Sequence, residues 1–166
     1  ARHIAEALQL TLTADEYRGL HKVRTVSPTA YEYYLRGVMY TISDSRENNE
    51  MAMKMFNDAI GLDSTFAEAH AALSMACTER FWSSYSPDTG WVTRGMALAG
   101  HALVLDNHLA SAHAAFGFAL RVKGRYRESI QEALRALAID PHLSFPLEDV
   151  SEFYRNRGDF AKALSY

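Results

Sequence analysis

A single cysteine, Cys77, leaves no partner for an internal disulfide, so the fold has to hold without an oxidising compartment. A reducing, cytoplasmic setting is expected. Charge of one sign is also missing: 17 basic against 20 acidic residues leave a net charge of -3 and a pI near 6.2. A nucleic-acid partner needs Lys and Arg clustered on one face, and none is expected for this segment. No apolar run approaches the roughly 20 residues of a membrane helix, and the opening ARHIAEALQL lacks the apolar core of a signal peptide. No membrane association is expected. The chain starts without Met and stops at Tyr166 inside a helical pattern, so a piece of a longer protein is expected.

Catalytic signatures are absent too. There is no G-x-S-x-G elbow, no G-x-x-x-x-G-K-[ST] loop and no Cys-x-x-Cys pair. Of the seven histidines, His108 and His113 stand five apart, not the four that would place them together on a helix face. No metal, cofactor or catalytic residue is expected, and the segment reads as non-enzymatic.

What is present is periodic. With 48% apolar and 22% charged residues, the 166-residue chain suits one compact domain or about four repeats. The stretch from Leu109 to His142 reads as two amphipathic helices and a tight turn. Within it His113, Phe116, Gly117 and Leu120 are spaced like W-x2-L-G-x2-Y. Asp140-Pro141 follows Asp106-Asn107 by 34 residues, Gly124-Arg125-Tyr126 returns 34 residues later as Gly158-Asp159-Phe160, and Gly117 returns as Ser151. The chain therefore resembles the tetratricopeptide-repeat (TPR) family, whose period is 34. The resemblance implies an all-α, right-handed solenoid of stacked helix-turn-helix repeats.

Residues 1–26 do not fit the period and read as a helical lead-in, with Thr13-Ala-Asp-Glu16 as a capping box. The array takes 27–166. Repeat one (27–66) opens at Ser27-Pro28, N-cap and first helical position, and its polar turn SDSRENNE makes it about three residues longer than 34. Repeat two (67–109) carries nine inserted residues, since Ala67-Glu68-Ala69-His70 is echoed 43 residues later by Ala110-Ser111-Ala112-His113. The insert is assigned to the helix-breaking stretch RFWSSYSPDTGW, with Ser86-Pro87 restarting the helix. Its Trp82, Tyr85 and Trp91 suit either function or packing on the body, and the area that clustered aromatics bury favours packing. Repeat three spans 110–143 and a shortened repeat four 144–166. His70 and His113 take the bulky structural position of their repeats. Predicted first helices cover 28–43, 67–81, 110–123 and 145–157; second helices cover 49–62, 89–105, 126–139 and 160 onward.

In TPR arrays positions 2, 5, 9 and 12 of each first helix line a concave groove. Carried over, this implies Tyr31, Tyr34, Val38 and Thr41, then Glu68, Ala71, Met75 and Thr78, then Ser111, Ala114, Phe118 and Arg121, and last Phe145, Glu148, Glu152 and Arg155. The groove is expected to be apolar and aromatic at one end and acidic at the other, with Tyr34, Met75 and Phe118 partly exposed. Glu148, Asp149 and Glu152 suit a basic partner, although Glu152 can also pair with Arg155. The Lys, Asn and Arg by which chaperone-binding members hold a terminal carboxylate are replaced here by Tyr34, Val38, Ala72, Ser111 and Ala115. The implied partner is a protein or peptide, either an amphipathic helix or an extended segment with apolar anchors.

TADEYRGLHKVRTVSPTAYEYYLRG is also similar to the join, in a group of bacterial multidomain regulators, between a TolB-N-like domain and a carboxy-terminal TPR array. This implies a regulatory segment serving a nucleotide cyclase, a kinase or a winged-helix output domain. A self-association module, giving a homodimer, and a small-ligand sensor remain alternatives.

Overall fold

The structure, a computed structural model, describes Thr25 and residues 27–165. The lead-in assigned to 1–26 lies outside these apart from Thr25, whose hydroxyl donates to Asp63. Eight helices and no strand occur among the described residues. They form pairs: α1 (Pro28–Tyr40) with α2 (Arg46–Leu62), α3 (Ala67–Trp82) with α4 (Gly90–Leu105), α5 (Ala110–Val122) with α6 (Tyr126–Ile139), and α7 (Ser144–Asn156) with the short α8 (Phe160–Ala163). Each helix packs on the next, and α3 also packs on α5 across the repeat boundary.

Ser27 caps α1 by accepting the Ala30 N–H at 3.2 Å, with Pro28 at the first helical position. The helix stops at Tyr40, three residues earlier than expected, and α2 starts three residues earlier. Ser45 provides the reason: its hydroxyl accepts the Asn48 N–H at 3.1 Å and turns half of the polar stretch into helix. Later repeats close their inner turn differently. Gly124 and Gly158 take left-handed φ of 77° and 76°. The following N–H groups of Arg125 and Asp159 reach back to the carbonyls of Leu120 and Tyr154, at 2.9 and 3.0 Å, as in a Schellman cap.

The repeat period is also a hydrogen-bond period. Asp63, Asp106 and Asp140 each leave the second helix in an extended conformation, and their N–H groups bond the carbonyls of Ala59, Ala102 and Ala136. Each Asp carboxylate then accepts the N–H two residues on, from Thr65, His108 and His142, at 2.9–3.0 Å. His70 and His113 fasten the next first helix to this joint, each donating from Nε2 to a carbonyl six residues back, Ser64 at 3.0 Å and Asn107 at 3.1 Å. The bulky position is thus used for anchoring as well as packing.

The helices of repeat two lie within one residue of the expected 67–81 and 89–105. Arg80, Phe81 and Trp82 stay helical and give α3 an extra turn, 16 residues against 13 in α5. Ser86-Pro87 does not start α4; that helix begins at Gly90, whose N–H bonds the Asp88 carboxylate at 2.8 Å. Within the loop Ser84 takes the left-handed conformation (φ 59°) that glycine supplies in the regular repeat.

Small residues set the spacing of each pair. A Cβ on Gly117 would lie 3.2 Å from the Ser129 carbonyl oxygen. At the equivalent places Ser74 Oγ donates to the Gly95 carbonyl at 2.7 Å and Ser151 Oγ to the Ala163 carbonyl at 3.0 Å. Three repeats therefore bring a small first-helix residue onto the same second-helix carbonyl. In repeat one Gly37 instead meets the Phe56 ring, 2.4 Å from where a Cβ would stand. The core runs along the stack as successive clusters: Ala30, Ala59, Phe66 and Ala69; then Ala52, Met53, Phe56, Leu73, Ala76 and Cys77; then Ala71, Ala102 and Ala112; then Ala133, Leu137 and Val150. Full burial of a ring such as Phe56 contributes about 1.5–3 kcal/mol, so neighbouring repeats stabilise one another.

Candidate protein-binding groove

The residues implied for the groove fall into two groups. On α1, Tyr31 and Tyr34 stack with ring centroids 6.1 Å apart, and Tyr34 leans on Phe66 (5.1 Å) and Phe56 (6.0 Å). Both tyrosines remain half-buried, as do Val38 and Met75. Burial raises the Tyr34 phenol pKa, and the nearby Glu68 carboxylate adds to the rise. Tyr34 therefore stays a neutral O–H at the boundary of repeats one and two. Val38 packs on the cluster around Phe56 and Leu73.

The second group centres on Phe118, and here the structure corrects the sequence reading. Phe118 is 1% exposed, not partly open. Phe145 of the next first helix meets it edge-on at 4.9 Å, and Trp82 does so at 6.2 Å from the added turn of α3. Arg121 closes the assembly: its guanidinium lies 4.8 Å from the Trp82 ring and 5.3 Å from those of Phe118 and Phe145. On its other side Arg121 Nη1 meets Asp149 Oδ1 at 3.3 Å. Cation–π attraction and the ion pair hold the charge over the rings, so the aromatic position is roofed by its neighbours. Ala71 and Thr78 are likewise buried. Thr78 Oγ1 bonds the Ser74 carbonyl and occupies the space that a Cβ on Gly95 would need.

The acidic end is also revised. Glu148 and Glu152 are exposed, with Glu152 3.9 Å from Arg155, but Asp149 is buried against Arg121. Burial pushes the Asp149 carboxyl up to about 6 despite Arg121, and Glu152 and Glu148 add to the rise. The aromatics of the insert divide. Trp91 lies beneath Arg80 and Arg94, centroids 5.0 and 5.7 Å away, and packs on the core, while Tyr85 donates to Asp44. Trp82 stays 54% exposed. No helix among the described residues is long and apolar enough to cross a membrane.

No protein-family model matches the chain. Solved structures match its fold. The first TPR of Spaghetti (RPAP3), bound to an HSP90 peptide, superimposes with a TM-score of 0.60 at 12% identity, covering 80% of this chain and 95% of that one. MamA superimposes with a TM-score of 0.57 at 18% identity, covering 92% and 81%. The chain has the tetratricopeptide-repeat fold, a right-handed α-solenoid. In sequence it is similar to a putative adenylate cyclase 3 from Rhizobium meliloti (strain 1021), 28% identical over 131 residues. That match takes in 77% of this chain but only 22% of the relative's length.

Within the TPR array a cleft of about 500 Å³ opens between α5, α6 and α7, walled by Trp82, Arg121, Tyr126, Ile130, Glu152 and Phe153. Arg121 and Glu152 come together here, whereas Tyr31, Tyr34 and Val38 lie on α1. Asp149 as the partner of Arg121 was missed. The two are 28 positions apart on different first helices, and one sequence carries no signal that pairs them.

Proposed function

We propose that this TPR segment is a protein-interaction module that holds an extended or helical stretch of a partner along its first helices. The observation that carries the reading is the set of apolar residues Tyr31, Tyr34, Val38 and Met75, which stay half-open on the first helices of repeats one and two. Such residues contribute affinity only when something covers them. The peptide-bound TPR of RPAP3 shows that this fold admits such use in another protein. No catalytic role is proposed for the segment.

The similarity to a putative adenylate cyclase supports the finer reading, a regulatory segment of a larger bacterial signalling protein in the cytoplasm, with a cyclase favoured among the three outputs considered. In that arrangement a partner held by the array biases the output domain, as linkage requires of any ligand that prefers one of two states.

Selection of a random peptide library on the immobilised segment, followed by anisotropy titration of the enriched peptides, tests the module. Enriched peptides should lose tenfold or more in affinity to Met75→Ala or Val38→Ala, titrated at a temperature where thermal melts show both variants folded. Failure to enrich any peptide, or equal binding by both variants, refutes it. Self-association has one observation in its favour, the exposed Phe160 and Leu164 (63% and 88%). A sedimentation coefficient that rises with concentration in the wild type but not in Leu164→Glu would establish it.

A further inference from the structure

The cleft of about 500 Å³ between α5, α6 and α7 is one half of a longer trough. A second hollow, of about 650 Å³, opens beside it between α6, α7 and the start of α8, and the two share Ile130, Phe153 and Arg157 as common wall. Their characters differ. The first end is aromatic and apolar, with exposed Trp82 and Tyr126 beside Ile130 and Phe153. The second end is cationic: Arg127, Arg157 and Lys162 line it with Asp159 as the one acid among them, in a chain whose net charge is -3.

Internal partners account for the other charges of the trough but not for two arginines. Asp159 meets Lys162 at 3.4 Å, Asp149 meets Arg121 at 3.3 Å, and Glu152 stands 3.9 Å from Arg155. Arg127 and Arg157 are exposed and form no ion pair among the described residues. Arg157 is instead held over the Phe153 ring, 5.4 Å from its centroid, as Lys162 is over Tyr154 at 5.3 Å. A guanidinium held by a ring still has its N–H donors to offer a carboxylate.

We infer that this trough binds an acidic segment of a partner protein, with an apolar or aromatic residue entering between Trp82 and Tyr126 and neighbouring carboxylates pairing with Arg127 and Arg157. Tyr126, Arg127, Ile130, Phe153, Arg157 and Lys162 all lie outside the groove positions of the first helices, so the site is additional to the concave surface and stands without it. Charge complementarity selects the partner class. Two unpaired guanidiniums match a pair of carboxylates, whereas nucleic acid needs a longer run of phosphate contacts and would meet Glu152 at the other end.

The test uses the 166-residue chain and the peptide Ac-Phe-Leu-Gly-Glu-Asp-Glu-NH2, followed by proton–nitrogen correlation spectra. The Trp82 indole N–H should shift saturably below about 1 mM peptide, while that of Trp91, beneath Arg80 and Arg94, stays in place. Counterparts with Gln and Asn, or with Lys, in place of the acids should bind at least tenfold more weakly, and Arg127→Glu or Arg157→Glu should cost the acidic peptide as much. Both reversals together should transfer preference to the lysine peptide, which an unfolded variant could not do. Absence of a Trp82 shift, equal binding by the neutral peptide, or tighter binding by a short oligothymidylate overturns the inference. So does an Arg157→Glu variant that lowers concentration-dependent sedimentation of the chain alone, since a second copy would then be the occupant. Failure here is distinct from failure of the groove. Met75→Ala and Val38→Ala should leave this peptide's affinity unchanged, and a loss in them equal to that in Arg157→Glu would put the peptide in the concave groove, removing the trough and leaving the module.

Discussion

Glycine-to-alanine substitution at three helical positions should give three different outcomes, and the differences follow from the crossings described above. Alanine gains about 0.8–1 kcal/mol over glycine in a helix interior wherever the new methyl meets nothing. Gly100 on α4 is such a place, with no heavy atom within 4 Å of a built Cβ, so Gly100→Ala should stabilise by most of that amount. At Gly117 the Cβ would stand 3.2 Å from the Ser129 carbonyl oxygen, a backbone atom that must give by a few tenths of an ångström. Gain and cost there nearly cancel, and Leu, with three more carbons, should cost several kcal/mol. At Gly37 the Cβ would lie 2.4, 2.6 and 2.9 Å from three carbons of the Phe56 ring, which is 1% exposed and has no free space to enter. Overpacking of that kind costs about 1–3 kcal/mol, so after the helix gain Gly37→Ala should be net destabilising by up to about 2 kcal/mol, or up to roughly 4–8 °C at this chain length. Urea midpoints for the three alanine variants supply the ranking. A double-mutant cycle with Phe56→Leu isolates the clash, because removing the ring should make Gly37→Ala harmless and leave a coupling of at least about 1 kcal/mol. Equal shifts at positions 37 and 100, or no coupling to Phe56, would refute this account of why the first helices carry a small residue there.

Phe118→Ala should lower stability by about 3–5 kcal/mol, since it empties a ring-sized volume beneath Arg121, whereas Tyr34→Ala, half-buried, should lose about half as much; thermal melts of the two compare them directly. Asp149 has its pKa raised to about 6, so the folded chain holds that proton more tightly than the unfolded chain, and stability must fall as pH rises from about 4 to about 6 and level off above. Relative to Asp149→Asn, the wild type should therefore lose about 2–3 kcal/mol between pH 4 and 7, read from urea midpoints; a rise across the same window would reverse the assignment. Burial pushes the Cys77 thiol up to about 11, and its side chain is fully enclosed, so a disulfide reagent at pH 8 should label it only at the rate at which the chain opens, and rapidly in urea.

Much of the architecture follows from local rules and was therefore legible along the chain. Ser27-Pro28, the glycines at 124 and 158 and the aspartates at 63, 106 and 140 act within a few residues of themselves, so a sequence shows both the signal and its effect. The 3.6-residue stripes did the same for helix existence and pairing. Helix ends were less visible where the chain had a choice: Ser45 captured the start of α2, and Ser86-Pro87 did not start α4. The residues Tyr31, Tyr34, Val38 and Met75 were implied by the TPR resemblance, whose groove positions are counted along a single helix, and all four are half-buried. What surrounds a position was not legible. Phe118 stands at a groove position by count, yet Phe145, Trp82 and Arg121 cover it from three other places in the chain. Asp149 reads in sequence as one of three acids suited to a basic partner, yet the fold sets it against Arg121. Periodicity is a property of one helix, while burial and charge pairing belong to the space between helices, and only the stacking of the repeats decides what fills that space.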